Sequence, residues 1–200
     1  MSQPLPSDAQ LDALREVANI GCGHAANALS RLMGGRKVDL SIPRVMLAHP
    51  SDAAGLLGGD APVVAAWLGI EGGLRGVLLL ALLQEDGRAL EALLLSGQPV
   101  LHQAERDSVV AETANIVASA CLSAMGRLTG WRLVPTVPTV RRGSADGVVS
   151  EALGQVEGDA SRVVVLEARF LAAAAPPVGG QLLLVLERDS IRDLLARLGV

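Results

Sequence analysis

Two stretches of this chain carry the same polar string at the same spacing. Asp12, Glu16 and Asn19 are followed 96 residues later by Ser108, Glu112 and Asn115. One offset near half the chain length implies two copies of a half-domain, not a solenoid of short repeats. Each copy, about 7–97 and 103–200, is too short to bury a sheet comfortably alone. The 200 residues are therefore expected to form one α+β domain with pseudo-two-fold symmetry, a sheet core inside and helices outside. Half of them are hydrophobic, which is enough for a shared core and excludes disorder as the overall state.

The periodicity supports that organisation. Leu14, Val17, Ala18, Gly21, Ala25, Leu29 and Leu32 recur at helical steps over 7–33, with Ser7 or Asp8 as N-cap and Gly34-Gly35 as stop. Residues 37–49 read as one strand, in which Pro43 implies an edge position or a bulge. Residues 51–59 read as a short turn or a helical turn, and 62–70 and 74–83 as strands joined by a hairpin at Gly72-Gly73. A helix over 85–95, closed by Gly97, ends the first copy. The order then repeats. A long helix spans 105–128 and stops at Gly130, a strand with an internal proline spans 131–141, and a short helix spans 144–156. Strands over 162–170 and 180–187 follow, joined by a Pro-Pro and Gly-Gly loop, before a closing helix over 189–198.

On a helical wheel with Asp12 at zero, Glu16 falls near 40° and Asn19 near 340°, at ~100° per residue. Leu14, Val17, Ala18, Gly21, Ala25 and Leu32 lie between roughly 140° and 240°, so the triad faces away from the core. Ser108, Glu112 and Asn115 cluster in the same way, opposite Val110, Val117, Cys121 and Leu128. A polar string on a helix is usually a solvated face, and shared ancestry alone would preserve two copies of it. Against this, asparagine is a below-average helix former, so its recurrence in mid-helix asks for a reason. Glu at i and Asn at i+3 set a carboxylate acceptor beside an amide. The carboxylate can grip a lysine on a partner, and the amide can hold a water by donating and accepting at once. That is the equipment for positioning water in phosphoryl hydrolysis.

The chain resembles the CheC family of chemotaxis phosphatases, relatives of CheX and FliY. The family pattern is Asp/Ser, three residues, Glu, two residues, Asn, twenty-two residues, Pro, occurring twice. Ser108, Glu112, Asn115 and Pro138 fit in full. Asp12, Glu16 and Asn19 fit too, with Pro43 one residue later than the pattern sets it. The stretches VANIGCGHAANALSRLMGGRKVDLSIPRV, WLGIEGGLRGVLLLALL and QLLLVLERDSIRDLLARLGV are similar in kind and order, so the likeness covers nearly the whole chain. Departures are Ala18 and Ala114, where glycine is commoner, and Cys22 and His24, where Ala and Asn are commoner. The resemblance implies hydrolysis of the aspartyl phosphate of a CheY-type response regulator. Asn19 and Asn115 would position the water, Glu16 and Glu112 would bond the regulator's lysine, and Asp12, Ser108, Pro43 and Pro138 would support them. The Mg²⁺ would belong to the regulator, and no cofactor or metal of the chain's own is implied. The receptor deamidase CheD is a further partner of the family, and the short helix over 144–156 is the candidate contact. Two alternatives stay open: a binding module without catalysis, and a structural part of the flagellar switch.

Composition narrows the remaining classes. Trp67, Trp131 and Phe170 are the only aromatics and the net charge is −4, which excludes a base-stacking nucleic-acid platform. His24, His49, His102, Cys22 and Cys121 are too scattered for a zinc spacing. There is no Walker loop and no Ser/His/Asp or Cys/His grouping. His24 reads as a surface residue, and Trp67 and Trp131 as core anchors. No signal peptide is evident, and the longest apolar run, 76–83, is far short of the roughly 20 residues that cross a bilayer. A cytoplasmic, reduced monomer without membrane insertion is expected.

Overall fold

The structure is a computed structural model, and it describes residues 6–41, 43–96, 98, 102–156 and 163–200. Helix α1 (Asp8–Leu32) opens on the expected cap: Gln10 N–H donates to Ser7 Oγ at 3.3 Å, and Ser7 N–H donates to Gln10 Oε1 at 3.0 Å. Two short strands follow, β1 (Val38–Leu40) and β2 (Arg44–Ala48), then α2 (Pro50–Ala53), which runs into a 3-10 turn (Ala54–Leu57). The hairpin β3 (Pro62–Glu71) and β4 (Gly76–Leu83) leads into α3 (Gln84–Leu94). The second series is α4 (Gln103–Thr129), β5 (Val134–Pro135), β6 (Thr139–Ser144), α5 (Ala145–Leu153), β7 (Val163–Ala172), β8 (Val178–Leu186) and α6 (Arg188–Leu198).

Three details correct the sequence reading. The strand expected over 37–49 is two, because the chain breaks at Pro43, whose missing N–H cannot join a ladder. The strand expected over 131–141 breaks in the same way ahead of Pro138. Gly179 and Gly180 lie inside β8 and not in the loop before it; the Phe170 ring fills the space a side chain would take, with Cζ 2.4 Å from a Cβ built on Gly180. Gly97 and Arg162 lie outside the described residues.

Eight strands form one antiparallel sheet in the order β1-β7-β8-β4-β3-β5, with β2 also beside β7 and β6 also beside β3. The pairing is unchanged if each strand of the first series trades places with its counterpart in the second. β1 and β2 pair with β7, β5 and β6 pair with β3, and β4 pairs with β8 at the centre. Both faces are covered, so the central strands read as unbroken apolar runs instead of alternating. Val64, Ala66, Leu68, Leu78, Leu80 and Leu82 face α1, α3, α4 and α6. Val63, Ala65, Trp67, Val77 and Leu79 face α5 and the 3-10 turn.

Helix α4 carries an 18-residue window of mean hydropathy 1.4, long and apolar enough to cross a bilayer. Its apolar face is used otherwise: Val110, Ala114, Val117, Cys121, Leu122 and Met125 are buried against α1 and the sheet. Leu128 does not join them; it is 43% exposed in the last turn, beyond the sheet contact, contrary to the wheel.

Candidate functional site

The two long helices hold the repeated triads on their outer faces. Glu16, Asn19 and Glu112 are exposed and Asn115 is half-buried, while Leu14, Val17 and Ala18 on α1 and Val110, Ala114 and Val117 on α4 are buried. Each stripe runs over eight residues, about 10 Å of helix from first to last. Among the described residues, Glu16, Asn19, Glu112 and Asn115 form no side-chain hydrogen bond or ion pair within the chain. Their polar capacity is left for an outside group. Ile20 and Ile116, each beside an asparagine, are half-buried and give the stripes an apolar flank. One turn on, a Cβ at Gly23 would meet nothing within 4 Å, and Ser119 holds the matching place on α4.

The remaining predicted residues are placed differently. Asp12 is exposed and paired with Arg15 Nη1 at 2.7 Å. The Ser108 hydroxyl donates to the Ala104 carbonyl at 2.9 Å, a bond back to its own helix. Pro43, buried, and Pro138, half-buried, sit in the strand breaks at the two sides of the sheet and not on the helical stripes. His24 is exposed. Trp67 is buried in the core; Trp131 is only half-buried and lies over the β3–β4 turn, where a Cβ on Gly73 would stand 2.3 Å from Trp131 Cδ2.

The helices are set close and held at their ends. Gly21 lets α1 approach α4, since a Cβ there would stand 2.9 Å from Cys121 Sγ. Burial pushes the Cys22 thiol up to about 11, and burial with Cys22 nearby pushes the Cys121 thiol higher still. Both are protonated at neutral pH, so neither serves as a nucleophile. At the far end of α4, Arg197 Nε donates to the Thr129 carbonyl at 2.7 Å, and Gly130 caps the helix in the left-handed region at φ +73°.

Sequence reasoning missed what anchors the beginning of α4. Glu91 of α3 is 3% exposed. It accepts from Arg106 Nε at 2.6 Å and from Arg142 Nη2 at 2.6 Å. Arg142 Nε also donates to Asp107 at 2.9 Å, which joins α3, α4 and β6 in one network. The available signal was Glu91 itself, a charge on the face that Gly87 and Leu90 bury. Among the described residues no cluster of three His, Cys, Asp or Glu could hold a metal ion.

Chemically, each stripe offers a carboxylate and an amide free of internal partners on a rigid helix, with no nucleophile and no metal-ligand set beside them. Such a surface can bind and orient a group carried by another molecule.

The CheC-like family model matches residues 10–47, which covers the first triad and the strands after it. The chain is 30% identical over 200 residues to the CheY-P phosphatase CheC of Bacillus subtilis (strain 168), covering 95% of this chain and 94% of that one. Its fold is similar to that of Thermotoga maritima FliY, with a TM-score of 0.73 at 18% identity over 98% of both chains. It is also similar to a chain of the FliM–SpeE complex of H. pylori, with a TM-score of 0.65 at 13% identity, covering 98% of this chain and 97% of that one. At those identities the two structures speak to the fold alone.

Proposed function

The chain belongs to the CheC-like family, and on that premise we propose that it hydrolyses the aspartyl phosphate of a CheY-type response regulator. The observation that carries this reading is the pair Glu–Asn, present at the same spacing on both long helices and without internal partners on either. In this reading Asn19 or Asn115 enters the regulator's site. The amide oxygen accepts a hydrogen bond from a water and turns the water's lone pair toward phosphorus. The water oxygen bonds to phosphorus as the bond to the aspartyl oxygen breaks, which yields inorganic phosphate and a free carboxylate. Glu16 or Glu112 bonds the regulator's lysine and fixes the approach. Asp12 and Ser108 support the helix surface, and Pro43 and Pro138 the strand breaks beneath it. The Mg²⁺ is the regulator's, and this chain supplies no cofactor. The two series, about 7–97 and 103–200, act as one cytoplasmic, monomeric domain. The short helix α5 is the candidate contact for CheD in this reading.

A second reading takes the chain as a binding module that holds the phosphorylated regulator without catalysis, since stripes free of internal partners serve docking as well as chemistry. One experiment separates the two. Decay of the phosphorylated regulator is followed with wild type, Asn19→Ala, Asn115→Ala and the double variant. Loss of activity only in the double variant makes both helices catalytic; loss in one single variant makes the other helix vestigial. Binding without faster decay by the wild type supports the module.

A further inference from the structure

The corner of the domain where α3 and α4 begin holds a cavity of about 180 Å³. Gln84 and Gln103, the first residues of the two helices, stand on its wall with Arg88, Arg106 and Arg142. Arg106 and Arg142 are partly spent on Glu91 and Asp107. Arg88 is exposed and, among the described residues, has no partner. Three guanidiniums against two carboxylates leave one positive charge uncompensated at the cavity.

The matching corner of the molecule shows that the fold does not require the network around Glu91. Leu195, like Glu91, is the eighth residue of an 11-residue helix. Leu47 pairs with Val164 as Arg142 pairs with Val64. Gln10 precedes Arg106 by the same 96 residues that separate the triads. With Leu195, Leu47 and Gln10 in these places, that corner is a cavity of about 350 Å³ with an apolar floor; Arg188 and Arg192 also line it, and Arg192, the counterpart of Arg88, lies 3.5 Å from Asp189 and 3.8 Å from Asp193, so its charge is compensated. Glu91 is buried, and an ion network built on a buried carboxylate seldom stabilises a protein more than an apolar replacement does, so the charged corner asks for a purpose other than stability.

We propose that the arginine-lined cavity receives a single carboxylate, the Asp or Glu side chain of a protein docking on this corner. Its volume lies below the ~300–1,000 Å³ of small-molecule sites, and suits one side chain better than a nucleotide or cofactor. One carboxylate neutralises the cluster, whereas a phosphate dianion overshoots it. The planar guanidinium fork matches the two carboxylate oxygens in geometry. None of its lining residues belongs to a triad, and the site does not depend on the phosphatase reading.

The test uses the full ¹⁵N-labelled chain at constant ionic strength, titrated with acetate and separately with inorganic phosphate, and read at the arginine Nε–Hε correlations. Acetate is expected to produce saturable shifts at Arg88, Arg106 and Arg142. Arg88→Gln should weaken that binding about tenfold, the scale of one charge-assisted contact. That variant should fold unaltered, since Arg88 has no partner to lose; a circular-dichroism melt verifies this. Unsaturable shifts shared with exposed Arg132, or an affinity unchanged in Arg88→Gln, overturn the site. Phosphate binding more tightly than acetate overturns the carboxylate as ligand.

Discussion

Gly21 of α1 lies so close to Cys121 of α4 that a methyl group in its place would stand 2.9 Å from the sulfur and 3.3 Å from Met125 Cγ. That approach sets the spacing of the two helices that carry the triads. Gly21→Ala overpacks it and should cost about 1–3 kcal/mol, read as a lowered urea midpoint. Cys121→Ala in the same chain relieves the clash, so the double variant should recover part of the loss. Additive losses would show that the two positions do not meet.

Asn19→Ala and Asn115→Ala remove amides that make no internal bond, so each variant should melt within about 0.5 kcal/mol of wild type. On the phosphatase reading, the double variant should slow regulator dephosphorylation about 10²–10³-fold, the cost of deleting a group that acts in the transition state. A double variant as active as wild type would dismiss the asparagines from the chemistry.

Arg142→Ala is expected to behave in the opposite manner. It exposes nothing new to a partner on the helical stripes but leaves Glu91 buried with one cation instead of two. Removing a partner from a buried ion pair costs about 3–5 kcal/mol, so chemical denaturation should find a large loss. Replacing the set with the residues of the matching corner, Glu91→Leu with Arg106→Gln and Arg142→Leu, should restore much of it. No recovery would mean that the network has no apolar equivalent here.

The two buried thiols predict a pH dependence. Cys22 ionises near pH 11 in the folded chain against an ordinary value of 9.0, and Cys121 higher still. Below pH 9 both states keep the protons and the thiols add no slope. Above it the unfolded state binds fewer protons, so stability falls by up to about 1.4 kcal/mol per pH unit per thiol until the folded values are reached. Cys22→Ala and Cys121→Ala should each flatten the decline seen in denaturation at pH 9–11. Alkylation at pH 8 should be slow for the folded chain and rapid in denaturant.

The helices and triads were legible because a 3.6-residue period and a repeated offset are local properties of the chain. Residues 14, 17, 18, 21 and 25 are buried as the wheel requires. The strand breaks were half-legible: Pro43 signalled an edge, yet nothing local said that the chain would leave the ladder there and rejoin it. The pair Gly179-Gly180 reads as a loop until Phe170, from the neighbouring strand, is seen to need that space. Trp131 was expected in the core, but it caps the turn at Gly73, a contact between residues far apart in sequence. The network around Glu91 was invisible for the same reason, because its members come from α3, α4 and β6 and meet only after folding.

The crossed pairing of the sheet has a consequence for synthesis. Val38 meets its partner Ala172 only after β7, far along the chain, has been made. At ~5–20 residues per second, β1 and β2 wait on the order of ten seconds with open backbone edges. Their shortness, the proline between them and the charged Lys37, Asp39 and Arg44 around them are the features that discourage wrong pairing during such a wait. What looks in the finished molecule like an interrupted edge is, on the ribosome, a guard against the neighbouring nascent chain.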